Sequence, residues 1–151
     1  MRGIRMFLFA AVVGAAPLAA QDAAKPALLA PVLLSAADST RFLELGRTYV
    51  RMMLTGKADS LAMALDSVAL TRVGGAAGIA DQQAQMAERI GAQAKVIEDK
   101  LTRRGGALQY WQSGEFTGFT DEPVVIRVIF NEHGKVTGMG INPMSKAPPV
   151  D

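Results

Sequence analysis

The sequence predicts an α+β domain in which three N-terminal helices pack on a C-terminal antiparallel sheet of three or four strands. After the first twenty residues, apolar residues recur at the spacing of an amphipathic helix. Further along the chain they alternate with other residues, as in a half-buried strand. Short segments of turn residues connect these later runs, so neighbouring strands can pair antiparallel. Helices that precede a run of neighbouring strands favour packing of the helices over the sheet.

Residues 1–20 have the pattern of a secretory signal peptide. Arg2 and Arg5 precede an apolar run over 6–16, and small residues lead to an expected cleavage after Ala20. The apolar run is shorter than the roughly 20 residues that a membrane-spanning helix needs. We therefore expect export to the periplasm or the medium, without membrane attachment after cleavage. A retained N-terminal anchor is the alternative.

The remainder divides into an Ala/Pro-rich spacer at 21–37, a single α+β domain at 38–144 and a flexible tail at 145–151. The full chain has 16 Lys and Arg against 14 Asp and Glu, and the signal peptide contains two of the arginines. The mature chain is therefore close to neutral. No basic cluster is longer than Arg103-Arg104, so we expect no binding to nucleic acid and no polybasic membrane patch.

Two helices are predicted before a glycine-rich segment. The first spans 38–54, begins at Asp38 or Ser39 and ends before Gly56. Its apolar face contains Phe42, Leu45, Tyr49, Met52 and Met53. The second begins at Asp59 or Ser60 and continues through Val68 with the same type of apolar stripe. Both helices are expected to face one core.

The segment 73–80 is rich in glycine and is predicted to be a connector or a lid at a pocket mouth. It lacks the lysine and hydroxyl residues of a phosphate loop. A third helix is predicted over 81–103, where Ile90, Ile97 and Leu101 fall on one side. Gly105 and Gly106 would stop this helix.

Three strands are predicted after the third helix. The first spans 107–119 with a bend at Gly114, and the other two form a hairpin over 123–143. Four apolar residues of this hairpin alternate toward the helices: Val124, Ile126, Val128 and Phe130. Val125, Arg127 and Ile129 lie on the opposite face.

The closing stretch resembles a known superfamily. The resemblance rests on five residues in a strand-turn-strand pattern: Asn131, Gly134, Lys135, Gly138 and Pro143. With Trp111 opening the sheet, the chain resembles the nuclear-transport-factor-2-like, or cystatin-like, superfamily. Within it, the chain is similar to a bacterial domain-of-unknown-function group found N-terminal to exported hydrolases. The resemblance implies a curved sheet around a long helix with a cavity between them. It selects no function, because the superfamily includes isomerases, dehydratases, binding modules and inhibitors.

The chain lacks the residues that many common catalytic sites require. There is no cysteine, and the single histidine, His133, falls in the predicted hairpin turn. This excludes thiolate chemistry and disulfides and argues against histidine-based metal sites or a Ser-His-Asp arrangement. We predict no catalytic residue, no metal site and no cofactor.

Four residues are the candidates for ligand contact. Tyr49, Tyr110 and Trp111 combine apolar rings with a polar tip, and Arg127 is a cation amid apolar neighbours. We expect Met139 and Phe116 to supply apolar walls for the same ligand.

The leading hypothesis is an exported, non-catalytic binding or interaction module whose partner is a protein or a small apolar ligand. One alternative is a small lyase or isomerase that uses Asp66 with Tyr49 or Tyr110 in the cavity. The other is a structural oligomerisation module, in which a second copy buries Val125 and Ile129 in a homodimer.

Overall fold

The structure is a computed structural model that describes residues 34–149. The predicted signal peptide, its cleavage site and most of the spacer lie outside these residues. The elements are α1 Ala36–Leu54, α2 Ala58–Ala64, α3 Ser67–Val73, α4 Gly75–Ile90, β1 Gln93–Arg104, β2 Ala107–Phe116, β3 Phe119–Phe130, β4 Val136–Pro143 and a short 3₁₀ helix, Met144–Lys146. None of the helices in this part of the chain is long and apolar enough to cross a membrane.

The strands form one sheet in the order β1-β2-β3-β4, and every neighbouring pair is antiparallel. Gly105 and Gly106 join β1 to β2 with φ of 56° and 81°. Two consecutive residues with positive φ suit the two-residue hairpin turn whose twist matches the sheet. The α+β class is confirmed, and within 34–149 it comprises four α-helices and four strands.

The predicted third helix over 81–103 exists, but its bounds were wrong: α4 spans Gly75–Ile90. Gly91 ends α4 with φ of 71°, and the residues from Gln93 onward form β1. Ile97 and Leu101 misled the prediction because a spacing of four residues also places two side chains on one face of a strand. Arg103 and Arg104 therefore end a strand, and the two glycines after them form a hairpin turn.

The predicted second helix is divided into α2 and α3. Leu65 between them is extended and forms a parallel bridge with Val136 of β4. Asp66 then caps α3, where its Oδ1 accepts from the Ala69 N–H at 2.7 Å. The predicted glycine-rich connector was also wrong, because α4 already begins at Gly75.

The helices pack on one face of the sheet. The four alternating residues of β3 predicted to face them are all buried in this core: Val124, Ile126, Val128 and Phe130. Gly46 of α1 lies directly on the buried Tyr110 ring, and a Cβ at this position would overlap the ring atoms. This contact explains a glycine in the middle of a long helix.

The predicted turn between the last two strands is confirmed. The Asn131 Oδ1 accepts from the backbone N–H groups of His133 and Lys135, each at 3.0 Å. Gly134 has φ of 79°, as expected of a glycine in a tight turn. His133 is exposed, and its Nε2 lies 3.4 Å from the Glu132 Oε1.

Candidate functional site

Tyr49 lies among core residues. Its hydroxyl donates to the Gly134 carbonyl at 3.5 Å, and its ring centroid is 6.2 Å from that of Phe130. Burial raises its pKa. Tyr49 lines neither of the two cavities described below, so it acts as a core aromatic with one hydrogen bond.

Trp111 and Arg127 face away from the helices. They are directly opposite each other on β2 and β3, and the Lys100 ammonium lies 4.6 Å from the Trp111 ring centroid. Arg127 is half-buried, and its Nη1 is 3.5 Å from the Gln109 Oε1. Burial, followed by the charge of Arg104, lowers the Arg127 pKa. Among residues 34–149, no carboxylate pairs with Arg127.

Tyr110 belongs to a polar network on the helix side of the sheet. Its hydroxyl is 3.0 Å from the Asp99 Oδ2 and 2.8 Å from the Gln112 side-chain amide. The Arg47 Nε donates to the same Asp99 oxygen at 2.6 Å. The Tyr110 hydroxyl has one proton, so it can donate to only one of these two oxygens, and we assign the donation to Asp99. If the Gln112 amide is rotated by 180°, its nitrogen and oxygen exchange places, and the Nε2 then donates to the Tyr110 hydroxyl oxygen. This orientation also gives a partner to the Gln112 Nε2, which is otherwise unsatisfied.

The network is unsuited to acid–base chemistry near neutral pH. The hydrogen bond from Arg47 lowers the Asp99 pKa, so this carboxylate is a weak base. Burial and the Asp99 charge raise the Tyr110 pKa, so its hydroxyl keeps its proton. These residues line a cavity of about 530 Å³ between α1 and β1. We interpret the network as a set of structural hydrogen bonds that connect α1 to β1 and β2.

A larger cavity, of about 590 Å³, lies between α3, α4 and β4, and we call it the β4 cleft. Its size is within the range of small-molecule sites. Most of its walls are apolar, including Met53, Leu61, Ile79, Val124, Met139 and Ile141. Met139 thus lies where an apolar wall was expected, whereas Phe116 is in the core and does not line this cleft.

The polar residues that line the β4 cleft include no carboxylate, and they are Arg72, Gln82, Gln83, Gln85, Arg89, Thr137 and Asn142. Gln83 is only 7% exposed, and its Nε2 donates to the Met52 carbonyl at 3.1 Å. Arg72 and Arg89 are exposed, and in the described chain neither side chain forms a hydrogen bond or an ion pair. Asp66, the predicted carboxylate, caps α3 and does not line the cleft.

The four predicted contact residues do not form one site. The predictions that touch the β4 cleft are Met139 as an apolar wall and the segment 73–80 as a connector or a lid at a pocket mouth, since Val73 and Ile79 of that segment line the cleft. Ile79, Gln83, Met86 and Ile90 follow helical spacing, and this signal would have been visible had the helix been started at Gly75. Among residues 34–149 there is no cluster of three His, Cys, Asp or Glu side chains that could hold a metal ion.

Comparison with known proteins yields no match: no family model, no curated protein and no solved structure is similar to this chain.

Proposed function

We propose that this protein is an exported, non-catalytic binding module whose ligand occupies the β4 cleft. The observation that carries the proposal is the composition of the cleft. Most of its walls are apolar, and its lining in the described chain includes no carboxylate and no imidazole. Such a surface can bury an apolar ligand, but it offers no group that titrates near neutral pH.

The carboxylate–tyrosine alternative has little support in the geometry. Asp66 is engaged as a helix cap, and Asp99 and Tyr110 have pKa values displaced away from neutrality. Arginine, the charged residue that does line the cleft, stays protonated at ordinary pH and does not act as a base.

The homodimer alternative also lacks support. Val125 is fully buried within a single chain, so a second copy is not needed to cover it. Ile129 is half-buried and leaves little apolar area on that face for a stable interface.

A cystatin-like arrangement and export are parts of the same proposal. The support for the fold is the antiparallel sheet with α1 packed across its inner face. The support for export is the basic, apolar and small-residue pattern of 1–20.

Titration with anilinonaphthalene sulfonate, a fluorescent dye that reports apolar sites, tests the proposal. We expect saturable binding to the wild type and at least tenfold weaker binding to Met139→Glu, because a carboxylate in the cleft would repel the anionic sulfonate and would be desolvated by the apolar rings of the dye. Met144→Glu is the matched control, since Met144 is 36% exposed and lies outside the cleft. Circular dichroism verifies that both variants are folded. Equal dye binding by the two variants would contradict a site in the cleft.

A further inference from the structure

The two edges of the sheet differ in charge. In β1, one edge strand, six of twelve residues are charged, and its pairing with β2 has two register shifts. In β4, the other edge strand, no residue is charged, and the one register shift lies near its beginning. Charges and bulges are the usual protection of an edge strand against pairing with another chain. The β4 edge lacks most of this protection.

The backbone of β4 is largely unpaired on its outer side. In an antiparallel pair, alternate residues direct their N–H and C=O groups away from the neighbouring strand. On the outer side of β4, the Val136 carbonyl accepts from the Asp66 N–H at 2.9 Å. Within residues 34–149, no other hydrogen bond reaches the outer edge of β4. Beyond Val136, this edge has free donors and acceptors.

These free groups lie inside the β4 cleft. Side chains of a strand alternate between its faces, yet every residue of Val136–Pro143 lines the cleft. Gly138 and Gly140 have no side chain and contribute backbone to this lining, and we infer that the cleft runs along the strand's edge as well as beneath one face. A hydrocarbon ligand in this position would cover backbone groups without bonding to them, which is unfavourable. A ligand with its own row of amides would pair with them.

We propose, on the basis of the binding function above, that the ligand is an extended peptide that adds to β4 as a fifth strand. Main-chain hydrogen bonds to the β4 edge hold the peptide, as in other cases of strand addition. Its alternate side chains enter the apolar part of the cleft near Val124, Met139 and Ile141.

The charges of the cleft specify the ends of the peptide. Arg72 lies in the last turn of α3, just before α4 begins, and Arg89 lies in the last turn of α4. A helix rises 1.5 Å per residue, so Arg89 is about 21 Å along α4 from Gly75. An extended peptide covers this length in about six residues. We therefore assign acidic residues to both ends of a six-residue spacing.

The test uses the full-length mature protein and the capped peptide acetyl-Glu-Val-Thr-Ile-Thr-Val-Glu-amide, with binding measured by titration calorimetry. Two further peptides are N-methylated on complementary sets of alternate amides, each blocking one edge of the peptide. We expect one of them to bind at least tenfold more weakly than the parent and the other to bind within about threefold of it. Any other pattern contradicts pairing through one peptide edge.

The role of the two cleft arginines is tested with variants that remove their charge and with a peptide that has Lys in place of both Glu residues. We expect Arg72→Gln and Arg89→Gln each to weaken binding of the acidic peptide three- to tenfold. Arg51→Gln, an exposed arginine outside the cleft, should leave it unchanged. The Lys peptide should bind at least tenfold more weakly. Equal binding of the two peptides would overturn the assignment of acidic ends.

Amide NMR locates the contact, with the β1 edge as an internal control. Bound peptide should shift the β4 amide signals and slow their hydrogen exchange, while β1 signals stay unchanged. Dodecanoate and the fluorescent dye separate the two proposals. If they bind in the cleft and the peptide does not, the strand-addition inference fails and the binding function stands. If neither these probes nor the peptide binds, both proposals fail.

Discussion

The contact between Gly46 and Tyr110 makes a strong prediction because helix propensity and packing act in opposite directions there. On an exposed helix, glycine to alanine stabilises by about 1 kcal/mol. At Gly46 the added Cβ would overlap the Tyr110 side chain, which is fully buried, so the ring or the helix would have to shift. A shift of the ring would also disturb the hydrogen bond from Tyr110 to Asp99.

The magnitude follows from these two costs. Overpacking costs about 1 to 3 kcal/mol, a lost hydrogen bond to a charged group costs about 1.5 to 3, and the helix gains about 1. Gly46→Ala should therefore lose about 1.5 to 5 kcal/mol of the free energy of unfolding. Thr48→Ala, two residues further along α1, is the control, because it raises helix propensity without a comparable contact and should be neutral or slightly stabilising.

Urea unfolding followed by fluorescence measures both variants, since Trp111 is the single tryptophan and is buried. If Gly46→Ala were as stable as the wild type, the close packing of α1 on the sheet would be wrong.

Two further predictions concern the sheet and its polar network. Because Asp99 has a lowered pKa in the folded protein, its contribution to stability is present above the ordinary carboxyl pKa and is lost as pH falls through the folded value. The stability difference between wild type and Asp99→Asn should therefore shrink between pH 6 and pH 2 in urea unfolding, and a constant difference would contradict the ionised pair with Arg47. Gly106→Ala should lose about 1 to 2 kcal/mol, because alanine is strained at the positive φ of the β1–β2 turn. A loss below about 0.5 kcal/mol in the same assay would show that this turn tolerates a side chain.

Elements whose apolar residues follow only one spacing, either that of a helix or that of a strand, could be predicted from the sequence. The hairpin of β3 and β4 combines strict alternation with Asn131 and Gly134 in the turn, and no helical spacing competes with it. The helix α1 was equally clear. In β1, however, the spacing of Ile97 and Leu101 suits both a helix and a strand. Pairing with β2 decides between them, and a short stretch of sequence does not show that pairing.

The candidate site was less predictable than the fold. Met139 was expected to form an apolar wall, and it does line the cleft. The cleft itself exists because α4 is held beside β4, and no single segment encodes that distance. The free backbone groups of β4 have no side-chain signature. They become apparent only once the strand order places β4 at an edge.

One physical feature connects the wrong prediction for β1 with the proposal for β4. The charged residues of β1 resemble the solvated face of a helix, and this encouraged the prediction of a helix through residue 103. In the folded sheet the same charges lie on an edge strand, where they oppose pairing with another chain. The uncharged sequence of β4 leaves the opposite edge open, beside an apolar cleft whose charged side chains are both arginines. A sheet protected at one edge and open at the other directs an added strand to β4 and away from β1.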